Sequence, residues 1–295
     1  MQRLRRMRRL GRALRTRLTD AVRDAVEPAL VHHLDALRRE QDEHVAELGA
    51  RLDAGLAELR EAMHAREVRD RRDILAAGER AAVESSARFV RESMTGARTF
   101  GTPPETLAHA LSLAPRGGMA LEFGVYSGST LRAIAEARGG TEVYGFDSFE
   151  GLPEDWRAGF RAGTFAMESM PEVPGAGLVP GWFSDTVPAF LDAHPGPVDL
   201  LHLDADLYSS TATVLELVGP RLRPGSVVVF DEYLNHPGWQ DDEHRAWREH
   251  VAAHDVEFVY EAFTHDHEQV VVVITGTRDV DAPTSRAPTR EARRS

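Results

Sequence analysis

Residues 198–206 read V-D-L-L-H-L-D-A-D. The apolar run Val198–Leu203 has the length and composition of a buried strand, and it ends on Asp204, with Asp206 two residues further on. A second apolar run, Val227–Phe230, ends in the same way on Asp231 and Glu232. Between them a helical stretch from Leu207 to Leu222 is closed by the pair Pro224-Gly225. A strand–helix–strand crossover makes the two strands parallel and neighbouring. Neighbouring strands lie ~4.8 Å apart, so Asp204, Asp231 and Glu232 are expected to project from one edge of a sheet. Three carboxylates there repel one another unless a cation sits among them, and an all-oxygen ligand set suits Mg²⁺.

Composition limits the alternatives. The 295 residues include no cysteine, which excludes a disulfide framework, a thiolate zinc site and a cysteine nucleophile. The length allows one α/β domain of about 190–200 residues plus an appendage. No run of 18 apolar residues occurs, and the Arg-rich N-terminus lacks the apolar core of a secretory signal. A cytoplasmic protein is the expectation. Net charge is −12, unevenly spread: residues 1–90 carry 19 Arg against 16 acids, whereas residues 91–280 carry 12 Arg against 29 acids. A body this acidic repels phosphate, which argues against a nucleic-acid substrate.

Residues 1–90 are nearly free of strand signals. Leu4, Met7, Gly11, Leu14 and Leu18 recur at three and four, as do Val45, Leu48, Leu52, Leu59 and Ala62. That spacing predicts a long helix, broken or kinked at Pro28 and pairing as a coiled coil in a homo-oligomer, with a solvated lone helix as the alternative. Eight Arg within the first seventeen residues suggest a foot on an anionic membrane surface.

A connector, residues 91–118, leads to the first strand, Met119–Phe123, and a turn, E-F-G-V-Y-S-G-S-T-L, that opens a helix. Gly124 and Gly128 admit close backbone approach, and the helix N-terminus offers N–H donors, although the dinucleotide fingerprint is absent. The second strand, Thr141–Phe146, ends on Asp147, where doubly wound folds hold a ribose by its hydroxyls; a helix cap is the alternative. Residues 149–177 read as a long aromatic loop, a lid over a site. Val179–Phe183 gives a third strand, and Glu257–Phe263 with Gln269–Thr275 an antiparallel hairpin. Residues 279–295 read as a disordered tail.

Five ordered motifs carry a resemblance: L-E-F-G-V-Y-S-G-S-T at 121–130, Y-G-F-D-S-F-E-G-L-P at 144–153, G-W-F-S-D-T at 181–186, H-L-D-A-D-L-Y-S-S-T at 202–211 and F-D-E-Y at 230–233. They resemble the class I S-adenosylmethionine-dependent methyltransferases, and among these the macrocin O-methyltransferase (TylF-type) family, which methylates sugar hydroxyls of macrolide and aminocoumarin antibiotics. The likeness covers residues 95–275 and implies a doubly wound α/β Rossmann-like sheet, strand order 3-2-1-4-5 plus the hairpin, over 119–278. It implies that Glu122, Phe123, Gly124, Val125, Tyr126 and Ser127 hold the methionine end of S-adenosylmethionine. Asp147 would bind the ribose, with Ser148, Phe149 and Glu150 shaping that pocket and Ser184 and Asp185 lying at the adenine. Asp204, Asp231 and Glu232 would ligate Mg²⁺, Glu232 standing where the family often has aspartate, and Asp206 would be the general base.

In the 3-2-1-4-5 order the chain direction reverses between strands one and four, which sets a cofactor beside the carboxylates. A metal there chelates sugar hydroxyls and acidifies one of them. The implied acceptor is a small-molecule or glycan sugar. Two alternatives stand beside this reading: a metal-dependent hydrolase using Asp204, Asp231 and Glu232, and an inactive scaffold working through its N-terminal helix.

Overall fold

The computed structural model describes residues 2–277, with side chains from residue 14 onward. The tail at 279–295 and the side chains of most of the Arg-rich foot therefore lie outside what is described. The chain divides into two compact units, Met1–Asp73 and the remainder from Ile74.

The first unit is one helix, α1 (Gln2–Arg72). The expected break at Pro28 is absent, since the helix is continuous on both sides of it. A proline inside a helix costs ~3 kcal/mol, which the many turns on either side outweigh; the interruption comes at Asp73 instead. Leu34, Leu37, Val45, Leu48, Leu56 and Leu59 are all exposed.

The second unit is a doubly wound sheet. Its elements are α2 (Ile74–Ser93), β1 (Arg98–Phe100), α3 (Pro103–Leu113), β2 (Met119–Phe123), α4 (Ser129–Arg138), β3 (Val143–Asp147), β4 (Gly177–Pro180), α5 (Phe183–Ala193), β5 (Val198–Leu203), α6 (Tyr208–Val218), β6 (Leu222–Phe230), α7 (Glu243–His254), β7 (Val256–Thr264) and β8 (Val270–Thr277). The strand order is β1-β7-β8-β6-β5-β2-β3-β4. Read from the far edge, β4-β3-β2-β5-β6 is the expected 3-2-1-4-5, all parallel. The hairpin β7–β8 joins antiparallel through β8, and the short β1, absent from the sequence reading, adds a parallel edge to β7.

Burial explains the central strands. Every residue of β2 and β5 is buried, because helices cover both faces, and this produces continuous apolar runs rather than alternation. The one acid inside such a run, Asp199, is satisfied at the lower edge: it accepts from the Gly118 amide at 2.5 Å and the Arg223 guanidinium at 2.7 Å. Helix α6 passes at Val218 into a 3-10 turn, Gly219–Arg221, so the helical stretch ends close to where it was expected, whereas Pro224-Gly225 falls inside β6 rather than closing the helix. The register shift between Val198 and Leu200, opposite this segment, accommodates the pair.

The arm also ends earlier than its sequence suggests. The Phe89 ring of α2 packs edge-on against His244, Trp239 and Tyr260, with centroids 4.9, 5.4 and 5.6 Å away. Ser86 Oγ accepts the Asn235 amide and Ser85 Oγ accepts the Trp239 indole N–H, both at 2.9 Å. Residues 74–93 thus belong to the second unit and pin the loop that follows β6.

Candidate active site

The backbone ladder gathers the acids at one edge. The Gly124 amide donates to Phe146 O, Asp204 N–H to Phe123 O and Asp231 N–H to Leu203 O, at 2.8–2.9 Å. Each bond steps across one strand, so the C-terminal ends of β3, β2, β5 and β6 finish level. Gly124 has φ +92°, and a Cβ there would overlap the Asp204 carbonyl. The close backbone approach expected at this glycine is therefore made in the first place by the neighbouring strand end.

Asp147 does more than line a pocket. Its Oδ2 accepts the amides of Val125 and Tyr126, both at 2.8 Å, and its Oδ1 accepts the Phe149 amide at 2.7 Å. Hydrogen bonds to an ionised acceptor are the strong ones, so this carboxylate clasps the glycine turn to β3. It does not cap a helix, since the next one begins at Phe183.

A cavity of about 520 Å³ opens over this edge. Gly124, Tyr126, Asp147 and Ser148 line one wall, Trp182, Phe183 and Ser184 another, and Asp204, Asp206 and Glu232 the floor. Other residues named from the sequence sit behind these. Glu122, Phe123 and Val125 are buried in the body, as is Phe149, while Glu150 is exposed. Asp185 accepts from the Ser184 hydroxyl at 3.1 Å in the first turn of α5, and the Ser127 carbonyl accepts from Arg132 at 2.8 Å. Neither lines the cavity, whereas Ser209, Ser210 and Thr213 of α6 do; the first two fall in the motif at 202–211, with no role assigned to them from sequence, and Thr213 lies beyond it.

The carboxylates of Asp204, Asp206 and Glu232 each offer an oxygen within 4.8 Å of the others. Asp231, expected among them, instead accepts from Gln269 Nε2 at 3.1 Å. Burial pushes the Asp204 and Glu232 carboxyls well above their ordinary range, and the Asp231 charge adds to the effect on both. Asp206 is pushed up to about 7 by burial, with the Arg157 guanidinium opposing the shift. Glu243, the first residue of α7, accepts the Glu232 amide at 3.1 Å and is itself raised by burial. Beneath them lies Glu122, 1% exposed, its carboxylate without a hydrogen bond and 3.4 Å from His202 Nδ1. Such crowding of like charge is what a hard divalent cation relieves. The donor set fits one: all ligand atoms are oxygen, and the buried Glu232 Oε2 has no partner of its own.

The loop expected as a lid holds no helix or strand between Ser148 and Ala176. It is fastened to the body at three points. Glu154 accepts from Ser209 at 2.7 Å, Trp156 Nε1 donates to Asp242 at 3.1 Å, and Arg157 pairs with Glu268 at 3.1 and 3.3 Å. The Arg157 guanidinium also stacks on Trp156, 4.0 Å from the ring centroid. Arg157, Glu243 and Gln269 were invisible as site residues because their partners lie on distant elements.

Residues 121–233 match the family described as a methyltransferase domain. A tetracenomycin-C rhamnosyl 4'-O-methyltransferase of Streptomyces olivaceus is 35% identical over 141 residues, covering 39% of this chain and 53% of the relative. Demethyldecarbamoylnovobiocin O-methyltransferase of Streptomyces niveus is 31% identical over 159 residues, 44% of this chain and 58% of the relative. The chain thus spans little more than half the length of these curated relatives. A calicheamicin methyltransferase structure, CalS11, is 28% identical, with a TM-score of 0.42 over 52% of this chain and 71% of its own. Strand order and strand-end acids accord with the match of residues 121–233 to a methyltransferase domain family.

Proposed function

We propose that the protein transfers a methyl group from S-adenosylmethionine to a sugar hydroxyl of a glycosylated natural product or surface glycan, with Mg²⁺ at the carboxylate floor. The finer placement within the macrocin-type sugar O-methyltransferases belongs to the same proposal. One observation carries it: the glycine turn with Asp147 and the floor of Asp204, Asp206 and Glu232 share a single cavity. A hydrolase has no use for the first wall, and the relatives are named as O-methyltransferases acting on tetracenomycin and novobiocin compounds.

Bound S-adenosylmethionine supplies an electrophilic methyl group, and a bound divalent cation acidifies a hydroxyl and orients it. This chain's residues do the rest. The Gly124–Ser127 turn and Ser148 shape the pocket for the cofactor's amino-acid and ribose parts, Asp147 uses the acceptor site left beside its three backbone amides for a ribose hydroxyl, and Trp182, Phe183 and Ser184 flank the adenine. Asp206 accepts the proton that the acceptor hydroxyl loses, through one carboxylate oxygen. The fastened lid excludes water, and the fixed walls bring oxygen and methyl into line, which supplies much of the acceleration.

The test is transfer of labelled methyl from S-adenosylmethionine to a panel of glycosides, with and without chelator. Label appearing on a sugar oxygen, and lost with chelator, is the expected result. Hydrolysis of a phosphate or carboxylate ester added beside the panel, without methyl transfer, would replace this reading by the hydrolase.

A further inference from the structure

We infer that helix α1 pairs with the α1 of a second copy of this chain, parallel and in register, along the stretch from Leu30 to Met63. The inference concerns the helical arm and is independent of the proposed reaction.

From Leu30 to Met63, α1 carries a row of ten positions at steps of 4, 3, 4, 4, 3, 4, 4, 3 and 4. Nine of them are Leu, Val or Met, with exposures from 41% at Leu56 to 66% at Leu52. At ~100° and ~1.5 Å per residue, the row keeps to about 100° of the helix circumference and runs for about 50 Å. A stripe about 10 Å wide over that length covers about 500 Å² on each helix, so a pair buries about 1,000 Å², the least that a specific interface needs. Gly55 lies on the same face and Gly49 at its border, and nothing stands within 4 Å of where a Cβ would be on either, so a partner's backbone can come close.

Charge and the one polar position choose the occupant. Residues 30–63 carry eight acids against four arginines, a balance that an anionic lipid surface repels. The tenth residue of the row is Gln41, exposed like the rest. A parallel copy in register sets Gln41 against Gln41, and each amide offers the other both a donor and an acceptor. An antiparallel copy that matches the apolar positions sets Gln41 against Leu52 in two layers, and both amides are then buried without a partner, which is costly. One polar layer of this kind fixes register in helix pairs.

Toward the N-terminus the row leaves this face. Leu14, Leu18, Val22, Val26 and Leu30 follow one another at four, and each step of four turns the row by about 40°, about 160° in all. The seam therefore starts near Leu30, just past Pro28, and the eight arginines of the first seventeen residues are not held side by side.

The experiment uses the full chain, which has no cysteine of its own, so one introduced thiol reports on one position. Sedimentation equilibrium is run on wild type, Leu48→Glu and Leu52→Glu, with thermal melts to check that the second unit of each variant is folded. Gln41→Cys, on the row, and Glu43→Cys, on the opposite face, are oxidised with diamide and read on non-reducing gels. The expected result is a wild-type pair of 32.6 kDa chains, self-association at least ~10-fold weaker in both glutamate variants, and a covalent dimer from Gln41→Cys but not from Glu43→Cys. Wild type that sediments as one chain, or as more than two, overturns the pairing, as does undiminished association in both glutamate variants. A dimer that forms no Gln41→Cys crosslink, or an equal one at Glu43→Cys, overturns the parallel register. Single wild-type chains that float with phosphatidylserine vesicles, and do so less after Leu48→Glu, give the face to lipid and overturn the inference as well.

Discussion

Replacing Asp147 by alanine should be felt twice, once in the fold and once in the cofactor. Three backbone amides, those of Val125, Tyr126 and Phe149, lose their acceptor. Tyr126 is 50% exposed, so water can reach part of the turn and the loss stays near ~1 kcal/mol per bond. The sum of about 3 kcal/mol corresponds to a fall in Tm of roughly 6–12 °C for a domain of this size. The ribose hydroxyls lose a charged acceptor as well, ~1.5–3 kcal/mol, which weakens S-adenosylmethionine binding roughly 10- to 100-fold. The two effects separate in Asp147→Asn, whose remaining carbonyl oxygen keeps part of the clasp but carries no charge. That variant should melt closer to wild type and still bind S-adenosylmethionine at least several-fold more weakly. Calorimetric melts and isothermal titration supply both numbers. A native Tm in Asp147→Ala would refute the clasp, and native affinity in Asp147→Asn would refute the ribose contact.

Three other outcomes are expected. Asp206→Asn should lower turnover of an identified acceptor by ~10²–10⁴ with cofactor affinity kept; full activity at saturating cation would remove Asp206 as the base. Deleting residues 1–73 should shrink the assembly seen by light scattering and leave cofactor binding intact, whereas deleting 1–90 uncovers Trp239 and the Asn235 amide and should destabilise the body; equal stability of both truncations contradicts the docking of α2. Burial, helped by the nearby His254, holds His250 down at about 4. A depressed histidine stabilises the fold fully above its unfolded value near ~6.5 and loses that contribution as pH falls towards 4, because the unfolded chain binds the extra proton. Urea melts of wild type and His250→Asn should therefore converge across that window, and a constant gap would count against the buried neutral imidazole.

Much of the body was readable because burial on both faces leaves a plain record. The runs at Val198–Leu203 and Val227–Phe230 are apolar without alternation and stop at acids, so their pairing and their edge follow from chain order alone. The hairpin was legible as two β-rich runs about a short turn, and residues 149–177 as a loop from their Gly, Pro and aromatic content. What the sequence concealed depends on partners far along the chain. Gln269 gives the Asp231 carboxylate a donor from 38 positions away. The Asp204 carbonyl, at the end of a strand 80 positions away, leaves no room for a Cβ at 124. Residues 74–93 share the helical character of the arm before them, and only the fit of Phe89 among Trp239, His244 and Tyr260 assigns them to the body. The three-residue β1 is too short to leave a pattern, and Pro224-Gly225 reads as a helix stop when it is a bulged strand entry.

The most direct test of the central claim is titration of S-adenosylmethionine into the full chain, with S-adenosylhomocysteine as competitor. One site per chain, competed by S-adenosylhomocysteine and weakened at least several-fold in Asp147→Asn, is the result predicted. No saturable binding, or binding untouched by that substitution, would contradict the assignment of this cavity.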